Sequence, residues 1–311
     1  VTKMTLPFIG NSETAEYSKA VFGYIFGYET ITSISSSETK IDTYINTKYG
    51  TVEGAVWQYT AKDYYAGNFT YKYQSYHYYI PEGLTEIIVT TQTEVPVAGF
   101  NNMSNLVKLT LPVGTTSIGA YAMQNATSLS LNNSEVSGTY NIPTNMTSIE
   151  EYTFYNNESL TTLIVDIGVT SIGEYAFSET TGLVEATIPS VRTMGDYTFS
   201  GASGLIEISM PSVETIGNYA FSGASSLLRI NSEVDGEFII PDSVTSIGVG
   251  AFKDANLVTK MTVPFIGQSA TAEYSKAVFG YIFGYETIGT STGYYTVKDE
   301  TYISTKYGTV E

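Results

Sequence analysis

"IGEYAFSETTGLVEATIPSVRTMGDYTFSGASGLIEISMPSVETIGNYAFSGASSL", residues Ile172 to Leu227, says nearly the same thing three times. A chain that repeats itself at a short fixed period is built to stack. The phrase Ile-Gly-x-Tyr-Ala-Phe begins at Ile118, Ile149, Ile172, Met194, Ile216 and Ile247, with a weaker version at Val95, so copies lie 22, 23 or 31 residues apart. A second phrase, Leu-x-x-Ile-x-Ile-Pro, begins at Val1, Leu84, Leu106, Leu160, Leu183, Leu205 and Val258, with shorter versions at Leu129 and Leu227.

In the second phrase Leu205, Ile208 and Met210 are apolar, Glu207 and Ser209 are polar, and Pro211 ends the run. That alternation predicts a short strand with one face inward. In the first phrase Gly217 is expected to supply a turn, and Ala220 and Phe221 a small and a large core wedge. The Ser-Gly-Ala-Ser that follows is turn chemistry returning the chain to the next Leu. One such unit cannot bury its own apolar residues, whereas stacked units cover one another, so the chain reads as a repeat solenoid. Expected columns are Leu160, Leu183, Leu205 and Leu227, and Phe154, Phe177, Phe199 and Phe221. A third, Tyr152, Tyr175, Tyr197 and Tyr219, reads as a structural stack of rings rather than a binding stripe. Nine rungs at the inter-strand spacing give roughly 43 Å of stack.

Two units carry inserts, "NSEVSGTYNIP" from Asn133 and "NSEVDGEFIIP" from Asn231. Ser137-Gly138 and Asp235-Gly236 sit where a tight turn would go, so each insert is expected to form a small hairpin. A larger duplication encloses the array. "VTKMTLPFIGNSETAEYSKAVFGYIFGYET" from Val1 returns at Val258 with few changes, and "TYINTKYGTVE" from Thr43 returns from Thr301 as "TYISTKYGTVE". These boundaries divide the chain into a variant repeat unit with a long insert over 1–80, regular repeats over 81–265, and a second, shorter copy of the variant unit over 266–311. Both ends fall inside the pattern, as expected for a segment of a longer array. The stretch Thr14 to Phe22 groups Tyr17, Val21 and Phe22 at helical spacing and predicts a short packed helix.

Composition narrows the function. The chain has 311 residues, 14 Lys plus Arg against 31 Asp plus Glu, and a formal charge of −17. That balance argues against nucleic acid and anionic membrane, whose phosphates need clustered cations. No run is long and apolar enough to span a bilayer. Cysteine is absent, which removes disulfides and thiolate chemistry. The 27 tyrosines and only 14% charged residues resemble the palette of binding loops.

The phrase Leu-Pro-x-x-Val-Thr-Ser-Ile-Gly-x-Tyr-Ala-Phe-Ser-Gly, as in "IPDSVTSIGVGAF" from Ile240 to Phe252, resembles the BspA-like leucine-rich repeat family. The stretch "AVFGYIFGYET", continuing to "YYIPEGLTEIIVT", resembles a variant unit found in such bacterial arrays. The resemblance implies a leucine-rich repeat right-handed superhelix, β-rich with short strands, turns and a few short helical segments. It also implies a secreted or cell-surface bacterial protein with an adhesion or host-interaction role. The chain departs from the family in having Ala202 and Ala224 where cysteine often follows the Phe, and in showing no anchor. The family carries no fixed ligand residues to transfer.

Little in the sequence carries catalysis. The one histidine, His77, has no nucleophile elbow to serve, and HExxH, Walker and Asp-x-Asp-x-Asp patterns are missing. No enzyme activity, cofactor or metal is therefore expected. The sharpest candidates for binding are aromatic: Trp57 and, within the tyrosine-dense stretch Tyr64 to Tyr79, Tyr71, Tyr73, Tyr76 and Tyr78. The competing reading of that stretch is a hairpin held by cross-strand tyrosine pairs. The outward strand positions Lys108, Thr162, Glu185, Glu207 and Arg229 are the other candidate contacts. The expected partner is a host extracellular protein or glycan; the alternatives are a carbohydrate-binding module using the tyrosine stretch, and a purely structural stalk.

Overall fold

The computed structural model describes residues 1–9, 80–81, 83–130, 138–139, 142–143, 145–273, 276 and 279–284, and the backbone alone of strands at 28–31, 44–47, 50–53, 55–59, 75–79, 131–132, 140–141, 302–305 and 308–310. Every Leu-x-x-Ile phrase becomes one strand of a 13-stranded sheet. Neighbouring rungs pair parallel and in register, as in Glu185↔Glu207 and Ala186↔Ile208. Only the last pair, Tyr302–Thr305 with Gly308–Val310, is antiparallel. Across the core the Ser-Ile dipeptides form a second ladder of five short strands, Ser148–Ile149 to Ser246–Ile247, beside a two-stranded one, Glu94–Val95 with Ser117–Ile118.

The strands are shorter than the alternation suggests. In the unit starting at Leu205 the strand is Glu207–Ser209, with Ile208 alone pointing inward, while Leu205 and Met210 are buried just outside it. Val213, Ile216, Ala220, Phe221 and Ala224 complete that layer, all at most 2% exposed. Each large side chain so buried contributes about 1.5–3 kcal/mol. The leucine column is buried throughout. The Phe154, Phe177, Phe199 and Phe221 rings stack at centroid separations of 5.2–5.6 Å, and Phe252 extends them.

The third side of each rung is neither strand nor helix. Two residues per turn, four apart, adopt left-handed backbone. One series is Ala98, Tyr121, Tyr152, Tyr175, Tyr197, Tyr219 and Gly250, at φ 53–61; the other is Asn102, Asn125, Asn156, Glu179, Gly201, Gly223 and Asp254. The alternation lets the chain hydrogen-bond across and along at once. Tyr175, Phe177 and Glu179 donate their amides to Asp196, Thr198 and Ser200 of the next rung, while Ser178 donates back to the Tyr175 carbonyl. Every peptide group there needs such a partner, because the turn is packed against neighbours on both sides.

This geometry corrects the role expected of Gly217. Its φ is not left-handed, so no turn requires glycine there. A β-carbon would instead lie 2.3 Å from the Gly195 carbonyl oxygen and 2.4 Å from its carbon. Glycine is needed because two rungs approach too closely for any side chain. Gly119, Gly173, Gly195 and Gly248 meet the same contact.

The inserts are not hairpins. Arg229–Ile230 and Glu237–Ile239 pair parallel, with Ile230 opposite Phe238, and Leu131–Asn132 and Thr139–Asn141 do the same. The glycines do turn the chain, Gly138 and Gly236 both at φ 80, but through a full loop that restarts a strand in the same direction. Parallel partners ordinarily need a long crossover. Here Asn231 bridges the gap: its Oδ1 accepts from the Met210 amide at 2.7 Å and its Nδ2 donates to the Ile239 carbonyl at 3.0 Å. A hairpin would deliver the chain to the wrong end of the sheet for entering Ser246–Ile247. Each insert adds a strand to the long sheet and none to the second ladder, where Thr215–Ile216 pairs directly with Ser246–Ile247. The long sheet thus becomes the longer side of the stack by about 4.8 Å per insert.

The helix expected over Thr14 to Phe22 lies outside the described residues. Among the described residues there is no α-helix, and in the second copy the helical turn is the 3-10 segment Phe279–Phe283. Its Tyr281 and Ile282 carbonyls accept the Gly250 and Phe252 amides, so it takes the place of the next rung's turn side.

Candidate interaction face

The register gathers the five expected strand contacts into one row. Thr162 lies beside Glu185, Glu185 beside Glu207, and Glu207 beside Arg229. Lys108 joins them through Leu131 and Thr139. The row runs on to Glu86 and Lys3 at one end and to Glu237 and Lys260 at the other. Each repeat contributes its residue at the same phase, so a charge pattern along the sequence becomes a line across the sheet.

Most charge on this row is matched by its neighbours. Lys3 pairs with Glu86 at 2.8 Å, Arg229 with Glu207 at 2.7 Å and with Asp235 at 2.6 Å, and Lys260 with Glu237 at 2.6 Å. Donating hydrogen bonds to the Glu207 and Asp235 carboxylates holds the Arg229 guanidinium still more firmly charged. The Lys260 ammonium, then the Ser232 hydroxyl, holds the Glu237 carboxyl below its ordinary range, against a smaller opposing effect of burial. Exposed pairs of this kind add little stability, because water and salt screen them and two long side chains must be held in place.

Beside the charged row runs an apolar stripe that the repeat pattern did not single out. The amide of Ile206 donates to the Val184 carbonyl, and that of Leu228 to the Ile206 carbonyl, so the three residues sit on successive rungs. Val184 is 42% exposed, and Ile206 and Leu228 are half-buried on the outer surface. Val107 occupies the same phase, and Ile164, 44% exposed, lies on the other side of the charged row. The signal was legible as the dipeptides Val184-Glu185, Ile206-Glu207 and Leu228-Arg229, in which an apolar residue precedes each charge outside the inward alternation.

The tyrosine column is a stack, as expected, and longer than expected. Tyr121, Tyr152, Tyr175, Tyr197 and Tyr219 follow one another at centroid separations of 4.8, 4.6, 4.6 and 5.1 Å with interplanar angles of 5–16°. Their faces cover one another, so the rings inside the column offer edges rather than a flat platform for a sugar ring. Burial first, and then the carboxylates Glu151 and Glu174, push the Tyr152 phenol up. Burial likewise leads for Tyr175 and Tyr197, assisted by neighbouring tyrosines and by Asp196.

Of the aromatic candidates, Tyr71 and Tyr73 lie outside the described residues. Tyr76 and Tyr78 belong to the central strand, Ser75–Pro81, of a three-stranded antiparallel sheet, paired with Thr30 and Tyr28. Trp57, on the neighbouring strand Ala55–Tyr59, pairs with Tyr79. The described end of the tyrosine stretch therefore lies in antiparallel strands with aromatic cross-strand partners, and the rest of it lies outside the described residues. Among the described residues no cluster of three His, Cys, Asp or Glu could hold a metal ion, and no helix is long and apolar enough to cross a membrane.

The pattern described as BspA type Leucine rich repeat region matches six copies, over residues 71–140, 132–235 and 236–306. The chain belongs to the BspA-type leucine-rich repeat family. Among solved structures it is similar to a leucine-rich repeat protein from Bacteroides ovatus, at 22% identity over 73% of this chain, with a TM-score of 0.44. It is similar also to the T. pallidum leucine-rich repeat protein, at 24% identity over 55% of this chain and 77% of that one, with a TM-score of 0.45. The pneumococcal vaccine antigen PcpA shares 17% identity over 63% of this chain and 56% of its own, with a TM-score of 0.40. The chain spans 59% of the Bacteroides ovatus protein. No curated protein matches it. Within this BspA-type array, the outer face of the long sheet is where side chains are free to vary without disturbing the columns beneath.

Proposed function

We propose that this BspA-type solenoid is a non-enzymatic interaction module of a secreted or cell-surface bacterial protein. It grips a host extracellular protein with the outer face of its long sheet. The observation that carries the reading is the stripe Val184, Ile206 and Leu228 lying beside the row Glu185, Glu207 and Arg229. An apolar strip rimmed by oriented charges has the anatomy of a protein interface: the strip supplies burial, and the charges set register and partner choice. A stalk would not need exposed valine and isoleucine on one face.

The test is a binding screen of the purified chain on immobilised extracellular-matrix proteins and glycans, repeated with Ile206→Asp and Leu228→Asp variants of unchanged melting temperature. A protein ligand whose affinity falls tenfold or more, about 1.4 kcal/mol or more, in either variant supports the reading. Protein binding unaffected by both, or selective glycan binding lost on changing Tyr76 and Tyr78 to Ser, overturns it in favour of the tyrosine-bearing sheet. No binding at all favours the stalk.

A further inference from the structure

The column Tyr121, Tyr152, Tyr175, Tyr197 and Tyr219 has no role in the proposed interface. Its members are held face to face by the backbone rather than by packing alone. Each has left-handed φ, and the amides of Tyr152, Tyr175 and Tyr197 donate to Glu174, Asp196 and Asn218 of the following rung. The fold therefore keeps each ring beside that of the next rung. Tyr175 and Tyr197 stack at 4.6 Å with only 5° between their planes. Near-parallel rings at that separation keep their ortho carbons close as well. All five rings are half-buried, so their edges meet solvent.

We propose that this column is an oxidative modification site, at which a haem peroxidase using hydrogen peroxide joins adjacent rungs by dityrosine bonds, foremost between Tyr175 and Tyr197. Each phenol gives one electron to the oxidant and its proton to solvent. Spin in a tyrosyl radical concentrates on oxygen and the ortho carbons, and two adjacent radicals couple Cε to Cε. The hydrogen on each coupled carbon then moves to its phenol oxygen, restoring both rings. Overall, two phenols and one peroxide give one dityrosine and two waters. The rings open about the new bond toward solvent, on the edge that nothing covers. The bond staples one turn of the coil to the next and restricts the unfolded chain as a disulfide would, in a chain without cysteine.

Tyr155 provides an internal control, being tilted 54° to Tyr152 at 5.6 Å rather than stacked. The experiment treats dilute folded chain with a haem peroxidase and limiting peroxide, then reads dityrosine fluorescence, intact mass and cross-linked peptides. The expected product is monomeric, has lost two hydrogens per bond, links neighbouring column residues and melts at a higher temperature. Tyr197→Phe keeps a ring in the stack and should lose the Tyr175 link, whereas Tyr155→Phe should change nothing. The same treatment in denaturant should lose the selectivity. Links at Tyr155 or within Tyr64 to Tyr79 in place of the column, only intermolecular products, or no dityrosine in the folded chain would each overturn the proposal.

Discussion

The ring of Tyr219 lies over the α-carbon of Gly250, so closely that a β-carbon there would come within 2.6 Å of Tyr219 Cε1. Gly250 keeps the left-handed backbone of the tyrosine series, at φ 61, but ends the column because it has no side chain. Gly250→Ala is expected to cost about 1–2 kcal/mol for the left-handed alanine, plus displacement of the ring. In a Tyr219→Ala background only the backbone part should remain. Urea unfolding of the four chains measures this; an equal effect of Gly250→Ala in both backgrounds would show that the contact is irrelevant.

Gly217 and Gly223 make opposite predictions although they stand close in sequence. At Gly217 the obstacle is the Gly195 carbonyl at 2.3 Å, which is backbone and cannot rotate away. At Gly223 the nearest atoms are 3.6 Å off and only φ 75 disfavours a side chain. Gly217→Ala should cost about 3 kcal/mol or more, the upper range for overpacking, and Gly223→Ala about 1–2 kcal/mol. Gly223→Asn should be milder still, since Asn102, Asn125 and Asn156 occupy that slot on other rungs. Unfolding midpoints of the three variants decide the order.

Acid should weaken the insert at Glu237. Lys260 and Ser232 hold its carboxyl below the ordinary 4.5, so the fold favours the ionised form. The stability this contributes is complete above pH 4.5 and is lost as pH falls from there through the depressed folded value. Glu237→Gln should therefore lower stability at neutral pH and flatten the acid limb of the stability curve. Parallel curves for the two proteins would refute the assignment.

Alkali should loosen the tyrosine column. Burial and carboxylates raise the Tyr152, Tyr175 and Tyr197 phenols above the ordinary 10.0. A raised folded value means that stability is complete below pH 10 and lost as pH rises through the folded values. Tyr175→Phe keeps the stacked ring and removes one titration, so its stability should fall less steeply in that range. Ultraviolet titration should show Tyr152, Tyr175 and Tyr197 ionising above the ordinary phenol value of 10.0.

The repeat made much of the core readable in advance. Phe154 to Phe221 and Leu160 to Leu227 recur at one phase, and residues at one phase of a stacked coil must lie above one another. The charged row from Lys108 to Arg229 followed from the same rule. The left-handed tyrosines did not, because tyrosine has no local preference for that backbone; the neighbouring rungs impose it. The stripe Val184, Ile206 and Leu228 is hidden in the repeat because each apolar residue directly follows the buried leucine of its unit and so falls outside the inward alternation.

The period, the columns and the division of each unit into one strand and one turn-rich arm are already written in the residue order, since periodic apolar residues can be buried only by stacking. That Gly217 serves a close approach, that the segment after Arg229 restarts a parallel strand, and that tyrosine accepts left-handed φ emerge only once the rungs are packed. One cause underlies all three. Each is set by the backbone of the adjacent rung, through the room it leaves for a β-carbon, the end at which the chain must enter the next arm and the amides that need partners, and none of these is a property of the local residues.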